Sequence, residues 1–188
     1  AKAIREKSTT LSKQMTFEMG KPLSEAQAEV EKCAVTLEYF AEHAPAELAP
    51  LKVDAHYEES FISKEPLGVI FAIMPWNYPL WQMIRFAAPA WMAGNVIALK
   101  HSDMTAGTAE ILCEIVQNVS PIRDVIVNLR INHDQAAKII ADPRIAAVTF
   151  TGSTRGGSEI AKVAGQYLKK TVLELGGSDA YIVLKDAD

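Results

Sequence analysis

Thr149-Phe150-Thr151-Gly152-Ser153-Thr154-Arg155-Gly156-Gly157, with Leu173-Glu174-Leu175-Gly176-Gly177-Ser178-Asp179 some twenty residues on, decides the fold. The first stretch reads as the end of a buried strand, a tight turn and the start of a helix. Such a helix start leaves backbone N–H groups without carbonyl partners, and they point into the turn, where a phosphate fits. The spacing Gly152-x-x-x-x-Gly157 is close to a P-loop, but Ser158 stands where the lysine belongs. A Gly-rich turn without a ligand is the plain alternative. The second stretch ends a short apolar strand on one carboxylate, Glu174. Apolar neighbours desolvate a carboxylate and raise its pKa toward that of a general base. An acid paired with Lys169 or Lys170 is the simpler reading.

Outward from this pair, strands and helices alternate. Leu67 to Met74 is a continuous apolar run, as expected of a strand buried on both faces. A turn follows, Pro75-Trp76-Asn77-Tyr78-Pro79, then a helix over about 80–92. Asn95 to Lys100 is a strand, Ala106 to Val119 a helix, Asp124 to Asn128 a strand and Asp134 to Ala141 a helix. Ala146 to Phe150 is a strand, Gly157 to Tyr167 a helix, and Thr171–Glu174 and Ala180–Leu184 are short strands. The alternation predicts an α/β fold, a Rossmann-like open parallel sheet with helices on both faces. Ligands of such sheets bind at the carboxyl ends of the strands. Asn77, Lys100, Ser153 and Glu174 each close or follow a strand, so they gather on one rim.

The first 50 residues have another texture. A helix is expected over about 1–19 and is stopped by Gly20-Lys21-Pro22. Ser24 is a candidate N-cap with Gln27 in the capping-box position, and the helix it opens runs to about Ala44, before Pro45 and Pro50. Residues 51–66 alternate weakly around His56, Tyr57, Phe61 and Ile62 and read as a hairpin, with an irregular connection as the alternative. The division is therefore 1–50, 51–66 and 67–188. The chain opens in mid-helix and stops just past a strand, so both ends read as cut.

With 49% hydrophobic residues among 188 the chain can bury a sizeable core, and its net charge of −4 shows no basic stripe for nucleic acid. No apolar run approaches the roughly 20 residues of a membrane helix, and the N-terminus lacks a signal-peptide pattern. Cys33 and Cys113, far apart in helical surroundings, read as small core residues in a reducing, cytoplasmic setting. His43, His56, His101 and His133 have no metal-ligand spacing.

Single residues stay ambiguous. An Asn77 amide between two prolines can donate to a developing oxyanion, or make an Asx-turn. Lys100 can hold ribose hydroxyls or phosphate, or be a solvated strand-end charge. Taken as a series, Pro75-Trp76-Asn77-x-Pro79, Lys100, Phe150-Thr151-Gly152-Ser153 and Glu174-Leu175-Gly176-Gly177 resemble the aldehyde dehydrogenase superfamily in order and spacing. Glu18-Met19-Gly20-Lys21-Pro22 and the following helix resemble it too. Glu174 to Asp179 and Lys100-His101-Ser102 are similar to bacterial succinate-semialdehyde dehydrogenases.

The resemblance implies roles. Asn77 matches the oxyanion donor and Glu174 the general base. Leu175 and Gly176 match positions near the nicotinamide, and Lys100 matches the residue on the adenosine ribose. Gly152, Ser153 and Gly157 match the pyrophosphate turn, and Ile73, Pro75 and Trp76 the cofactor cleft. Residues 51–66 resemble part of an oligomerisation hairpin, implying a homo-oligomer. The implied reaction is NAD(P)-dependent oxidation of an aldehyde, succinate semialdehyde among the candidates, through a covalent thioester. Asp103 is placed to accept from a ribose 2′-hydroxyl and repel a 2′-phosphate, which favours NAD; His101 and Ser102 would welcome the phosphate of NADP.

There are two departures. The family's nucleophilic cysteine follows the Glu-Leu-Gly-Gly motif by a spacing that falls beyond Asp188, and neither Cys33 nor Cys113 replaces it. This chain alone is therefore expected not to oxidise aldehydes. Glycine is also absent from Thr108 to Thr151, where the family places glycines beside the adenine. Gln135 stands near one such place, which predicts a narrower pocket. A nucleotide-binding or assembly module without catalysis, and a semialdehyde or acyl reductase of the same fold, remain the alternatives. Glu174, a deacylating acid, argues against the reductase.

Overall fold

The computed structural model describes all residues, Ala1–Asp188. Three N-terminal helices, α1 (Lys2–Glu6), α2 (Ser8–Met19) and α3 (Leu23–Leu48), precede a two-stranded antiparallel hairpin, β1 (Leu51–Lys52) and β2 (Phe61–Ile62). The α/β unit then runs β3 (Val69–Ile73), α4 (Pro79–Met92), β4 (Val96–Lys100), a 3-10 turn (Asp103–Thr105), α5 (Ala106–Val119), β5 (Ile126–Asn128), α6 (His133–Ala141), β6 (Ile145–Thr151), α7 (Thr154–Gln166) and β7 (Lys170–Glu174). The five strands β3 to β7 form one parallel sheet in the order β5-β4-β3-β6-β7. The chain leaves β3 toward one edge and returns beside it with β6. The strand order therefore reverses at β3/β6, the place where open α/β sheets hold ligands.

The central strand explains the layering. Successive side chains of a strand point to opposite faces. In β3, Phe71 packs with Ile140, Val148 and Ala164 under α6 and α7. Its neighbour Ala72, and Met74 just beyond the strand, join Leu80, Met83, Ile84, Leu99 and Leu112 under α4 and α5. The second cluster extends to Leu11, Met15, Val30 and Cys33, so α2 and α3 form a further layer over α4 and α5. Phe71, Leu11, Met15, Ile84 and Leu99 are fully buried, each contributing about 1.5–3 kcal/mol of apolar transfer.

Five sequence expectations change. The first helix is broken at Lys7, and no side chain explains the break. α3 starts one residue before Ser24, behind Pro22, so Ser24 is not its cap. Pro45 lies inside α3 rather than ending it. The carbonyl it leaves unbonded belongs to Ala41, which is exposed to water. α7 begins at Thr154, so Gly157 sits within its first turn and not at its start. Residues 180–184 form no strand: Tyr181, Ile182, Val183 and Leu184 are 66–92% exposed. An apolar strand needs neighbours on its faces and edge, and here β7 is itself the exposed edge, with Val172 open.

Candidate functional site

At the carboxyl end of the sheet three strands meet at one level. Ile73 is in register with Lys100 of β4 and with Phe150 of β6. These three side chains line a cavity of about 550 Å³ that is walled by α6 (His133, Ala136, Ile140) and α7 (Ser153, Arg155, Gly156). Its position follows from strand alternation, because Lys100 points to the same face as Ala98, toward α6 and α7, while Leu99 points the other way.

Lys100 is 6% exposed, which removes the solvated-charge alternative. Its ammonium has one acceptor, the His101 carbonyl at 3.5 Å. A buried cation so poorly satisfied, facing a cavity, has room to donate to an external acceptor. Across the cavity, α7 offers its N-terminus. Ser153 Oγ accepts from the Gly156 N–H at 3.1 Å and the Ser153 carbonyl from the Gly157 N–H at 2.9 Å. The N–H groups of Thr154 and Arg155 are left as free first-turn donors. Gly152 is required by contact rather than by backbone angle: a Cβ there would lie 2.6 Å from the Phe150 ring, which runs beneath the turn, and one on Gly156 would lie 2.8 Å from it. An ammonium, a helix N-terminus and an apolar floor fit a dinucleotide.

Other expected cofactor residues lie elsewhere. Gly157 is buried under Leu175, whose Cδ2 occupies the space of a Cβ, so this glycine serves packing between α7 and the segment after β7. Pro75, Trp76, Ser102, Asp103, Leu175 and Gly176 do not line the cavity. Ser102 caps the 3-10 turn by accepting from Met104 N–H, and Asp103 is exposed in it. The side chain of Gln135 turns back to the Asn132 N–H in a capping box, and it is Ala136 and Ala137 that line the cavity beside it. Gln135 therefore does not narrow the cavity.

The rim carries the second group. Asn77 is exposed, and its Oδ1 accepts from the Tyr78 N–H at 3.1 Å, which leaves Nδ2 unengaged. Glu174 is half exposed and pairs with Arg85 at 3.6 Å, not with Lys169 or Lys170; the desolvation expected for it is absent. Lys169 instead donates to the carbonyls of Asp142 and Ile145. Thr151 and Glu174 are in register, and the Glu174 carbonyl accepts from Gly152 N–H at 3.0 Å. Nothing in the sequence marks Arg85 as part of this group except that it is the one charged residue of apolar α4.

Both cysteines are buried, and burial pushes the Cys33 thiol far up and the Cys113 thiol to about 12. Neither is a thiolate nucleophile. His101 is buried as well. Its Nε2–H donates to the Pro79 carbonyl at 3.0 Å, and Nδ1 accepts from the Thr105 hydroxyl at 3.0 Å. Burial lowers its pKa and keeps the ring neutral.

An open parallel α/β sheet with a cavity at its switch point is the architecture of the doubly wound α/β class of domains. The chain belongs to the aldehyde dehydrogenase family, whose model matches residues 1–188. It is 45% identical over 187 residues to the succinate semialdehyde dehydrogenase of Escherichia coli K12, named with NAD(P)+, covering 100% of this chain and 40% of that protein. A probable succinate-semialdehyde dehydrogenase of Synechocystis, named with NADP+, is 48% identical over 174 residues, covering 93% and 38%. Among solved structures, succinic semialdehyde dehydrogenase from Streptococcus pyogenes in complex with NADP+ superposes with a TM-score of 0.92 at 40% identity, covering 98% of this chain and 41% of that one. The chain spans about 40% of the length of these relatives.

Proposed function

We propose that this chain supplies the cofactor site and part of the catalytic rim of an NAD(P)-dependent aldehyde dehydrogenase that converts a semialdehyde, such as succinate semialdehyde, to its acid. The observation that carries this is the under-satisfied Lys100 ammonium facing a cavity whose other wall is the N-terminus of α7. Lys100 would hold ribose hydroxyls, and Ser153 with the free N–H groups of Thr154 and Arg155 would hold the pyrophosphate. Bound NAD(P)+ supplies the hydride acceptor. Asn77 Nδ2 donates to the oxyanion that forms when a thiolate adds to the aldehyde. The thiolate comes from outside this chain, since both cysteines here are buried thiols. Glu174 takes the proton of the water that releases the acid.

Arg85 supports the choice of a carboxylate-bearing aldehyde. It lies two turns after Asn77 on α4, is 40% exposed, and is held to Glu174 only loosely at 3.6 Å, so a second carboxylate can reach it. The relatives are named with NAD(P)+ or NADP+. Asp103 lies outside the cavity and is left without a part in choosing between NAD and NADP, and Lys100 tolerates either cofactor.

Calorimetry of the chain with NAD+ and NADP+ tests the binding half. Binding of either is expected in the wild type, with a loss of about tenfold or more in Lys100→Ala, the range of one charge-assisted contact. Wild-type binding unchanged by Lys100→Ala would refute the assigned site. The chain alone is expected to show no aldehyde-dependent NAD(P)H formation, and the complete reading frame is expected to show it.

A further inference from the structure

Asn77 is exposed, and its side chain makes a single hydrogen bond, to the next residue's N–H. Its position is therefore inherited from the backbone of Tyr78, Pro79, Leu80 and Trp81, where α4 begins. That start has no side-chain cap of its own: Tyr78 is the N-cap residue and offers none, and Pro79 at the first position has no N–H. The two donors that follow, Leu80 N–H and Trp81 N–H, both go to Glu29 Oε1 at 2.9 Å, and Gln82 N–H goes to the Tyr78 carbonyl at 2.9 Å. Glu29, on α3 and 4% exposed, thus closes the account of free donors at this helix start. Its other oxygen pairs with Lys21, itself 6% exposed, and the Lys21 ammonium lies 3.8 Å from the centroid of the Tyr78 ring. From the opposite side, His101 holds the Pro79 carbonyl.

We propose that Glu29, with Lys21, is a positioning residue that fixes the Asn77 amide where the oxyanion forms. The inference rests on the aldehyde-oxidation reading above. An anion at a helix N-terminus is favoured by the dipole, and an error of about 1 Å in a catalytic group costs up to about a hundredfold in rate.

The test uses the complete reading frame carrying wild type, Glu29→Gln, Asn77→Ala and the double variant. In Glu29→Gln, kcat and the rate of the first NAD(P)H burst are expected to fall about ten- to a hundredfold. Kd for NADP+ should stay within about twofold, because Lys100 and α7 do not touch Glu29, and KM for the aldehyde should change less than kcat, because Arg85 lies well beyond the capped start of α4. The double variant should be no slower than Asn77→Ala alone, as for two residues acting through one group. Losses that multiply in the double variant, or a Glu29→Gln kcat equal to wild type, overturn the proposal. Should Glu29→Gln fail to fold, Lys21→Met takes its place, with a smaller kcat-selective loss expected and a wild-type kcat overturning. A wild-type frame that oxidises no aldehyde overturns the activity reading alone. Positioning is then read from the side-chain amide resonances of ¹⁵N-asparagine-labelled protein. Asn77 must shift in Glu29→Gln, and an unshifted signal sinks the inference.

Discussion

Four helices of the α/β unit begin beside or behind the site, and they are capped in two different ways. α6 and α7 cap themselves: Asn132 and Gln135 exchange hydrogen bonds in a capping box, and Ser153 accepts from Gly156 N–H. α4 and α5 are capped from the N-terminal helices. Glu29 of α3 receives Leu80 and Trp81 N–H, and Glu18 of α2 receives Gly107 N–H, Thr108 N–H and the Thr108 hydroxyl at 2.6–3.0 Å. The cavity walls are thus locally specified, while the helix behind Asn77 depends on residues about fifty positions earlier. The N-terminal layer is part of the scaffold of the rim and not an appendage.

Removing a remote cap should hurt most. Glu29→Ala strands the buried Lys21 charge and two backbone donors, and should destabilise the chain by about 3–5 kcal/mol in urea unfolding. A loss under 1 kcal/mol would mean that the pair contributes little to α4. Next, Glu18→Ala deletes three hydrogen bonds to a partly buried carboxylate, with a loss of about 2 kcal/mol and faster amide exchange confined to the start of α5. Exchange that speeds up equally in α6 would break the division between the two halves. The local caps should cost less: Ser153→Ala is expected to lose about 1 kcal/mol. A larger loss than that of Glu18→Ala would reverse the comparison.

Acid should act on the remotely capped half as well. His101 is held neutral, with a pKa below its ordinary value of about 6.5. The folded state therefore binds fewer protons than the unfolded one, so stability is full above about pH 6.5 and declines as pH falls from there toward the folded pKa. A His101→Gln variant is expected to flatten that slope. An unchanged slope would assign the pH dependence to another group.

Much of the sheet was readable because its signal is local. The apolar run of β3 and the strand–turn–helix at Gly152 carry their own periodicity and punctuation, and all five strands of the parallel sheet form close to where the sequence puts them. Residues 180–184 show the limit: apolar composition specifies a strand only where something covers it. Lys100 was legible as a candidate, but its burial depends on register with Ile73 and on α6 and α7 above it. The capping roles of Glu18 and Glu29 and the pairing of Arg85 are not legible in the sequence for the same reason. Each gains meaning from a partner 51 to 90 positions away, and no spacing rule spans that distance. The lone charge in apolar α4 and the acids on the amphipathic helices were visible marks without an assigned purpose. Gly157 looks functional in the sequence as a glycine near a phosphate turn, and only the fold shows that it also makes room for Leu175.

The bond from Gly152 N–H to the Glu174 carbonyl, together with Leu175 seated on Gly157, joins the turn before α7 to the end of β7 at two points. The proposed phosphate seat and the proposed base are therefore one mechanical part. Ser153 at the turn and Glu174 at the strand end are held to each other by backbone and packing, with no loop between them.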